Sequence, residues 1–291
     1  MKLALVTCES LAQYAAADVE DEDALLTRFL RSRGHDITPE VWTNPAVNWA
    51  GYDALLLKSP WDYFDRVQEF YAWLDQLDQA GVRMLNPVPT VRWNADKKYL
   101  AEMEQAGVRI VPTRWLLRGA RFEPEQLFET LGTEKLIVKP AVSGGAKNTF
   151  ALTRAEAQAA IDRLDSLLYE EDFLAQPFLP QIQTQGEWSF IYLGGQFSHC
   201  VLKTPKSGDF RVQHYLGGGI EPHPAPPHLL AVADGIVQKF AADCLYARVD
   251  GVEAGSEFLL MELELIEPFL YLASDPGALD RYEAGLRRML G

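Results

Sequence analysis

Apolar positions in this chain fall into two patterns, short unbroken runs and stripes at helical spacing. Lys2-Leu-Ala-Leu-Val6 and Ala54-Leu-Leu-Leu57 read as buried strands. Segment 22–33 carries Leu25, Leu26, Phe29 and Leu30 on one helical stripe and stops at Gly34, a suitable helix C-terminus. Segment 66–80 repeats the arrangement with Val67, Phe70, Tyr71, Leu74 and Leu77 before Gly81. Strand–helix–strand order predicts a small parallel sheet, whose ligands bind beyond the carboxyl ends of the strands. Those ends are Thr7-Cys8-Glu9 and Lys58-Ser59-Pro60-Trp61-Asp62-Tyr63.

Pro87 and Pro89 then interrupt the chain, and Asn94 is expected to cap a helix running through Leu100 and Met103 to Gly107. A domain boundary is placed near residue 93. Further on come the strand Lys135-Leu-Ile-Val-Lys-Pro140, a loop over 141–149, and a helix opened by the capping box Thr153-Arg-Ala-Glu156. Strands over 188–192 and 196–203 flank Gly194-Gly195, a hairpin signal. Gly217-Gly-Gly219 and 221–227 read as a loop, and a helix is predicted over 229–244.

Two more apolar runs, Tyr246-Ala-Arg-Val-Asp-Gly-Val252 and Phe258-Leu-Leu-Met-Glu-Leu-Glu-Leu-Ile-Glu-Pro268, are joined by Glu253-Ala-Gly-Ser-Glu257, which suits an antiparallel hairpin. Side chains alternate across a strand, so Arg248 shares a face with Asp250, and Glu262 with Glu264, while Leu263 and Leu265 point the other way. Three carboxylates converging on one face repel unless a cation lies between them. Hard oxygen donors suit magnesium or manganese. A solvated strand face is the alternative reading.

The net charge of −14 argues against a nucleic-acid surface but leaves room for a local basic pocket. Cys8, Cys200 and Cys244 have no spacing that suggests a disulfide framework or a zinc site. The N-terminus reads as a first strand and not a signal peptide, no apolar run reaches membrane-spanning length, and a cytoplasmic chain is expected.

No GxxxxGK[ST] and no GxGxxG after the first strand occurs, so neither a P-loop ATPase nor a dinucleotide dehydrogenase is supported. Lys139, however, ends a strand and is followed by Ser143-Gly144-Gly145. Small residues let backbone N–H groups approach a phosphate closely. Alone, the loop fits a plain surface turn better than a phosphate cradle.

In combination, Lys97 in Asn94-Ala-Asp-Lys-Lys98, Lys139 with its glycine loop, Gln176-Pro-Phe-Leu179, Glu187, Arg248-Val-Asp250 and Glu262-Leu-Glu264 follow the order and spacing of the ATP-grasp ligases. The chain most resembles the glutathione-synthetase-like branch. Trp61-Asp-Tyr63 and the stretch 262–268 further resemble the small ATP-grasp ligase that closes the ring of D-cycloserine. This resemblance, covering residues 1 to about 270, implies an α/β chain that is α+β in its ATP-grasp part. A small parallel-sheet substrate domain (1–93) would precede a central lobe (94–178) and a C-terminal lobe with the metal site (179–291), the two lobes clamping ATP.

It further implies that Lys97 and Lys139 contact ATP phosphates, with Lys98 as the alternative to Lys97, and that Ser143, Gly144 and Gly145 cover the triphosphate. Gln176, Pro177, Phe178 and Leu179 would form the hinge at the adenine, although many members have Glu where Gln176 stands. Glu187 would accept the ribose hydroxyls and Lys203 would assist nucleotide binding. Asp250, Glu262 and Glu264 would hold Mg2+ or Mn2+, where relatives commonly have Asn in place of Glu264. Arg248 and Arg211 would act at the reacting groups; pairing with Asp250 is the alternative for Arg248, and a surface position for Arg211.

The activity implied is ADP-forming ligation of a small-molecule carboxylate to an amine through an acyl phosphate. Nucleic acid and membrane are excluded as partners, and a homo-oligomer is compatible. Rival readings are an ATP-dependent small-molecule kinase and a nucleotide-binding regulatory module without catalysis. Glu9, Lys58, Ser59, Asp62, Tyr63 and Arg211 form the candidate substrate pocket.

Overall fold

Three strands, β1 (Lys2–Thr7), β2 (Asp36–Val41) and β3 (Ala54–Ser59), pair in parallel in the order β2-β1-β3. The computed structural model describes residues 1–9, 21–206 and 218–291. Alternation along β1 sends Leu3 and Leu5 to one core with Leu26 and Leu30 of the helix Glu22–Ser32, and Ala4 and Val6 to another with Phe70 and Leu74 of the helix Val67–Gln79. The sheet is therefore covered on both faces. Strand β2 has no apolar run in the sequence. It carries Pro39, whose missing N–H is tolerated because β2 is an edge strand.

The central sheet, in the order β4-β7-β5-β6, is antiparallel and consists of β4 (Arg114–Leu116), β5 (Lys135–Pro140), β6 (Phe150–Thr153) and β7 (Phe173–Pro177). Leu136 and Val138 of β5 enter a core with Leu164 and Leu168, so Ile137 and Lys139 project from the opposite face. The capping box on Thr153 and Glu156 forms as expected, although the helix it opens is broken into Arg154–Ala159 and Ile161–Glu170.

Five antiparallel strands make the third sheet: β8 (Glu187–Leu193), β9 (Gln196–Thr204), β10 (Gly219–Pro222), β11 (Tyr246–Ala254) and β12 (Glu257–Glu264), in the order β10-β9-β8-β11-β12. Gly194 and Gly195 turn β8 into β9 with φ of 57° and 75°, backbone that favours glycine. The helix Pro227–Phe240 covers one face, burying Phe190, Val249 and Leu263. On the other face Ile191, Leu193 and Val201 join the core of Leu3 and Leu5, and charged side chains occupy the remainder.

Asn94 does not cap the following helix. It ends a short helix, Val88–Asn94, and its buried amide donates to Leu263 O at 2.7 Å and accepts from Leu265 N at 2.9 Å, stitching the end of β12 to the central segment. The next helix starts later, at Tyr99–Gln105. A C-terminal helix, Ala278–Leu290, places Tyr282 and Leu286 in the same core as Leu3, Leu5, Leu26 and Leu30. The two ends of the chain thus share one hydrophobic core. Among the described residues no helix is long and apolar enough to cross a membrane.

Candidate functional site

The charged face of the third sheet follows from its register. Across the four neighbouring strands Lys203 lies opposite Glu187, Ser189 opposite Asp250, Asp250 opposite Glu262, and Arg248 opposite Glu264. A bulge between Asp250 and Gly251 breaks the pairing just beyond, where a Cβ on Gly251 would lie 2.5 Å from Leu259 O.

These charges bind one another in a chain. Lys203 bridges Glu187 and, at 3.1 Å, Asp250. Asp250 also accepts from Ser189 Oγ at 2.5 Å and from the Arg248 guanidinium at 2.9–3.1 Å. Arg248 reaches on to Glu264 and donates from Nη1 to Phe269 O at 2.9 Å. Although burial opposes ionisation, Arg248 and Lys203 hold the Asp250 carboxyl well below the usual range. Burial pushes the Glu187 carboxyl up, with Lys203 opposing, and does the same to Glu264 against the pull of Arg248.

The central segment supplies the remaining cations. Lys97 is buried, lies 3.2 Å from Glu262, and donates to Ser143 O at 2.7 Å, joining the glycine loop to the acidic ribbon. Lys98 turns away to Asp172. Burial lowers the Lys139 amine against the pull of Glu262, while Lys97 and Lys139 together hold Glu262 low although burial opposes them. Among the described residues, the Lys139 amine has no hydrogen-bond or ion-pair partner.

Gly144 lies flat against Phe64, where a Cβ would come within 2.5 Å of the ring. Lys147, farther along the loop, pairs with Asp65. The loop therefore rests on the segment that follows β3, bordering a cleft lined by Phe64, Val142, Ser143 and Glu171.

At the expected hinge, Gln176 donates to Thr113 Oγ1 at 3.0 Å, Phe178 N donates to Lys135 O at 2.8 Å, and Leu179 packs near Val252. Pro177 ends β7 opposite Leu136. Arg211 lies outside the described residues.

Sequence reasoning passed over three groups. Ser189 sits two residues beyond Glu187 on the same strand face, a spacing that could have found it. Tyr271, with a left-handed φ of 52°, places its ring 5.7 Å from the Arg248 guanidinium. Glu267 is pushed up to about 7 by burial and the neighbouring Glu262, with Lys97 pulling the other way.

The expected substrate pocket requires correction. Lys58 is fully buried, 2.8 Å from Glu22. Ser59 donates to Asp23 at 2.7 Å, Asp62 accepts from Trp42 Nε1 at 2.6 Å, and Tyr63 is buried. Of that set only Glu9 is exposed among the described residues. Lys58, Ser59 and Asp62 spend their polarity on protein partners, Lys58 reaching also to Pro268 O at 3.1 Å.

Carboxylate oxygens are the donors magnesium prefers, and the Glu262 and Glu264 side chains are 30% and 20% exposed. Among the described residues no group of three His, Cys, Asp or Glu is arranged to hold a metal, because each acid is drawn to a cation. The donor chemistry fits the ion; gathering the donors requires Arg248 or Lys97 to exchange partners.

Comparison with known proteins bears on the fold. Residues 3–86 match the family described as D-cycloserine synthetase DcsG, N-terminal domain. The cycloserine biosynthesis protein DcsG of Streptomyces lavendulae is 28% identical over 173 residues, 57% of this chain. The chain spans 58% of that relative's length. A crystal structure of D-cycloserine synthetase DcsG superposes with a TM-score of 0.86 at 25% identity, covering 100% of both chains. D-alanine–D-alanine ligase from Bacillus anthracis in complex with ATP gives 0.70 at 14% identity, over 99% of this chain and 98% of that one. A RimK-domain ATP-grasp protein from Sphaerobacter thermophilus gives 0.67 at 17%, covering 100% of both. The fold is that of the ATP-grasp ligases, and the chain resembles DcsG.

Proposed function

From a chain with the ATP-grasp fold, we propose an ATP-dependent ligase that joins a carboxylate to an amine or similar nucleophile. The names of two similar proteins, a D-cycloserine synthetase and a D-alanine–D-alanine ligase, favour a small amino-acid-like substrate. One observation carries the reading: Lys97 lies 3.2 Å from Glu262, with Lys139 in electrostatic reach of the same carboxylate. Basic groups of the middle lobe thereby stand beside acids of the last lobe, the charge pattern that a magnesium-bound polyphosphate needs.

In this proposal a substrate carboxylate oxygen attacks the γ-phosphorus and ADP leaves. The amine then attacks the acyl carbon and phosphate leaves. Lys139 and Arg248 stabilise charge on the transferred group, and Lys97 holds Ser143 so that the loop can lie over the phosphates. Magnesium, bound by Glu262, Glu264 and Asp250, would neutralise phosphoryl oxygens. The loop 143–149, seated on Phe64, keeps water from the acyl phosphate.

The test is an ADP-release screen in magnesium across amino acids, with and without amine acceptors, using Glu262→Ala as the blank. Release that requires both partners supports ligation. Release with the carboxylate partner alone and a stable phosphorylated product would make the protein a kinase. Nucleotide binding with no release across the screen would leave a binding module.

A further inference from the structure

Residues 266–272 follow β12 without helix or strand, yet the segment is held from both sides. Five consecutive carbonyls each receive a side-chain donor from elsewhere in the chain. Tyr246 OH shares its one proton between Leu57 O and Ile266 O (2.8 Å to the latter), Trp61 Nε1 donates to Glu267 O (2.9 Å) and Lys58 Nζ to Pro268 O (3.1 Å). Arg248 Nη1 donates to Phe269 O (2.9 Å), and His199 Nε2 meets Leu270 O at 3.0 Å. Glu22 completes the clamp: its two oxygens accept from Leu270 N (2.9 Å) and Leu272 N (3.0 Å), and it pairs with Lys58 at 2.8 Å.

Arg248 depends on this strap. Nε and Nη2 are engaged by Asp250 and Glu264, and Nη1 spends one N–H on Phe269 O. A guanidinium has five N–H donors in a rigid plane, so anchoring Nη1 fixes where its second N–H points. That N–H has no partner among the described residues. The anchor, Phe269, stands between Pro268, gripped by Lys58, and Leu270, gripped by Glu22.

Building on the nucleotide-site reading above, we infer that the buried Lys58–Glu22 pair of the first domain is a positioning element for Arg248, acting through the Phe269 carbonyl. Lys58 is thereby a group that aims another side chain and does not touch substrate. The distances carry this: each link from Glu22 to the guanidinium is a direct hydrogen bond or one residue of backbone.

The experiment titrates the full chain with magnesium and AMPPNP, an ATP analogue that resists cleavage. It compares wild type, the pair Lys58→Met with Glu22→Gln, Arg248→Ala, and all three changes together. Met and Gln keep the volume and remove both charges of the pair, while Asp23, 4.0 Å from Lys58, keeps its hydrogen bond from Ser59. The pair should weaken binding about tenfold with Arg248 present and less than about twofold in the Arg248→Ala background. Equal losses in both backgrounds, or no loss in the first, overturn the inference.

A second readout, the hydrogen-exchange rate of the Arg248 Nε–H by NMR, needs no nucleotide. It should rise at least about tenfold in the pair, and an unchanged rate overturns the inference. If wild type fails to bind the analogue, the nucleotide reading falls and this rate alone decides. Should the pair not fold, Lys58→Met alone, which leaves Glu22 its two amide donors, replaces it, with about a threefold effect expected on each readout.

Discussion

Two groups of buried charges stand side by side in this molecule and differ in what they leave unfinished. Around Lys58 the Glu22–Lys58 pair is fully partnered, in large part by residues 268–272, while Asp23 beside it keeps one buried oxygen without a hydrogen bond among the described residues. Glu22 meets an ammonium and two amides, and the ammonium meets a carboxylate and a carbonyl. At the charged face of the third sheet four cations (Lys97 and Lys139 from the central segment, Lys203 and Arg248 from the sheet) stand with four acids (Glu187, Asp250, Glu262, Glu264), but Lys139 has no partner among the described residues and Glu262 and Glu264 remain partly open. The first arrangement is closed and structural. The second is balanced in charge and partly open, as the proposed site for an exchangeable polyanion requires.

The strongest way to break this contrast is Glu22→Ala. It strands a fully buried ammonium, so unfolding by denaturant should show a loss of about 3–5 kcal/mol. Glu262→Ala, at the open edge, should cost far less in the same assay. Comparable losses would erase the distinction.

Next, Lys139→Ala should lower ATP-dependent turnover on the order of a hundredfold with the denaturation midpoint unchanged, the scale of losing one charge-stabilising donor. Steady-state ADP release checks it, and an unchanged rate removes Lys139 from the site.

Where the two regions meet, Gly144→Ala drives a methyl into the Phe64 ring and should cost about 1–3 kcal/mol, relieved by adding Phe64→Ala. Calorimetric melting of the single and double variants reads the coupling.

The smallest effect concerns Glu267. Its carboxyl titrates near 7 when folded against an ordinary 4.5, so the folded chain binds its proton more tightly. Stability therefore falls as pH rises between those values, and the cost is complete above 7. Glu267→Gln should stabilise the chain by about 1 kcal/mol at pH 8 and by less at pH 5, seen in melts without nucleotide. Equal shifts at both pH values would mean that the carboxyl does not titrate there.

Local grammar made much of this readable in advance. Alternation placed Arg248 with Asp250 and Glu262 with Glu264, because a strand has one period and the apolar partners Leu263 and Leu265 fix which face is buried. Gly194-Gly195 announced its hairpin because only positive φ makes that turn. Lys58 misled because its partners, Glu22 and Pro268, lie far away in sequence, and a lysine at a strand end looks the same whether it meets solvent or a hidden acid. Asn94 misled similarly: an amide that suits a helix cap suits Leu263 and Leu265 as well. Strand β2 escaped notice because an edge strand needs neither an apolar run nor every N–H. The C-terminal helix carries its signal in Tyr282 and Leu286, whose partners come from the start of the chain.

The clasped segment after β12 bears on recombination with relatives. Trp61, Lys58 and Glu22 come from the first ninety-three residues, whereas the carbonyls and amides they serve come after residue 265. A chimera exchanging only residues 1–93 is therefore expected to express poorly unless the incoming module brings equivalent donors, or unless 266–272 travels with it as a second cassette.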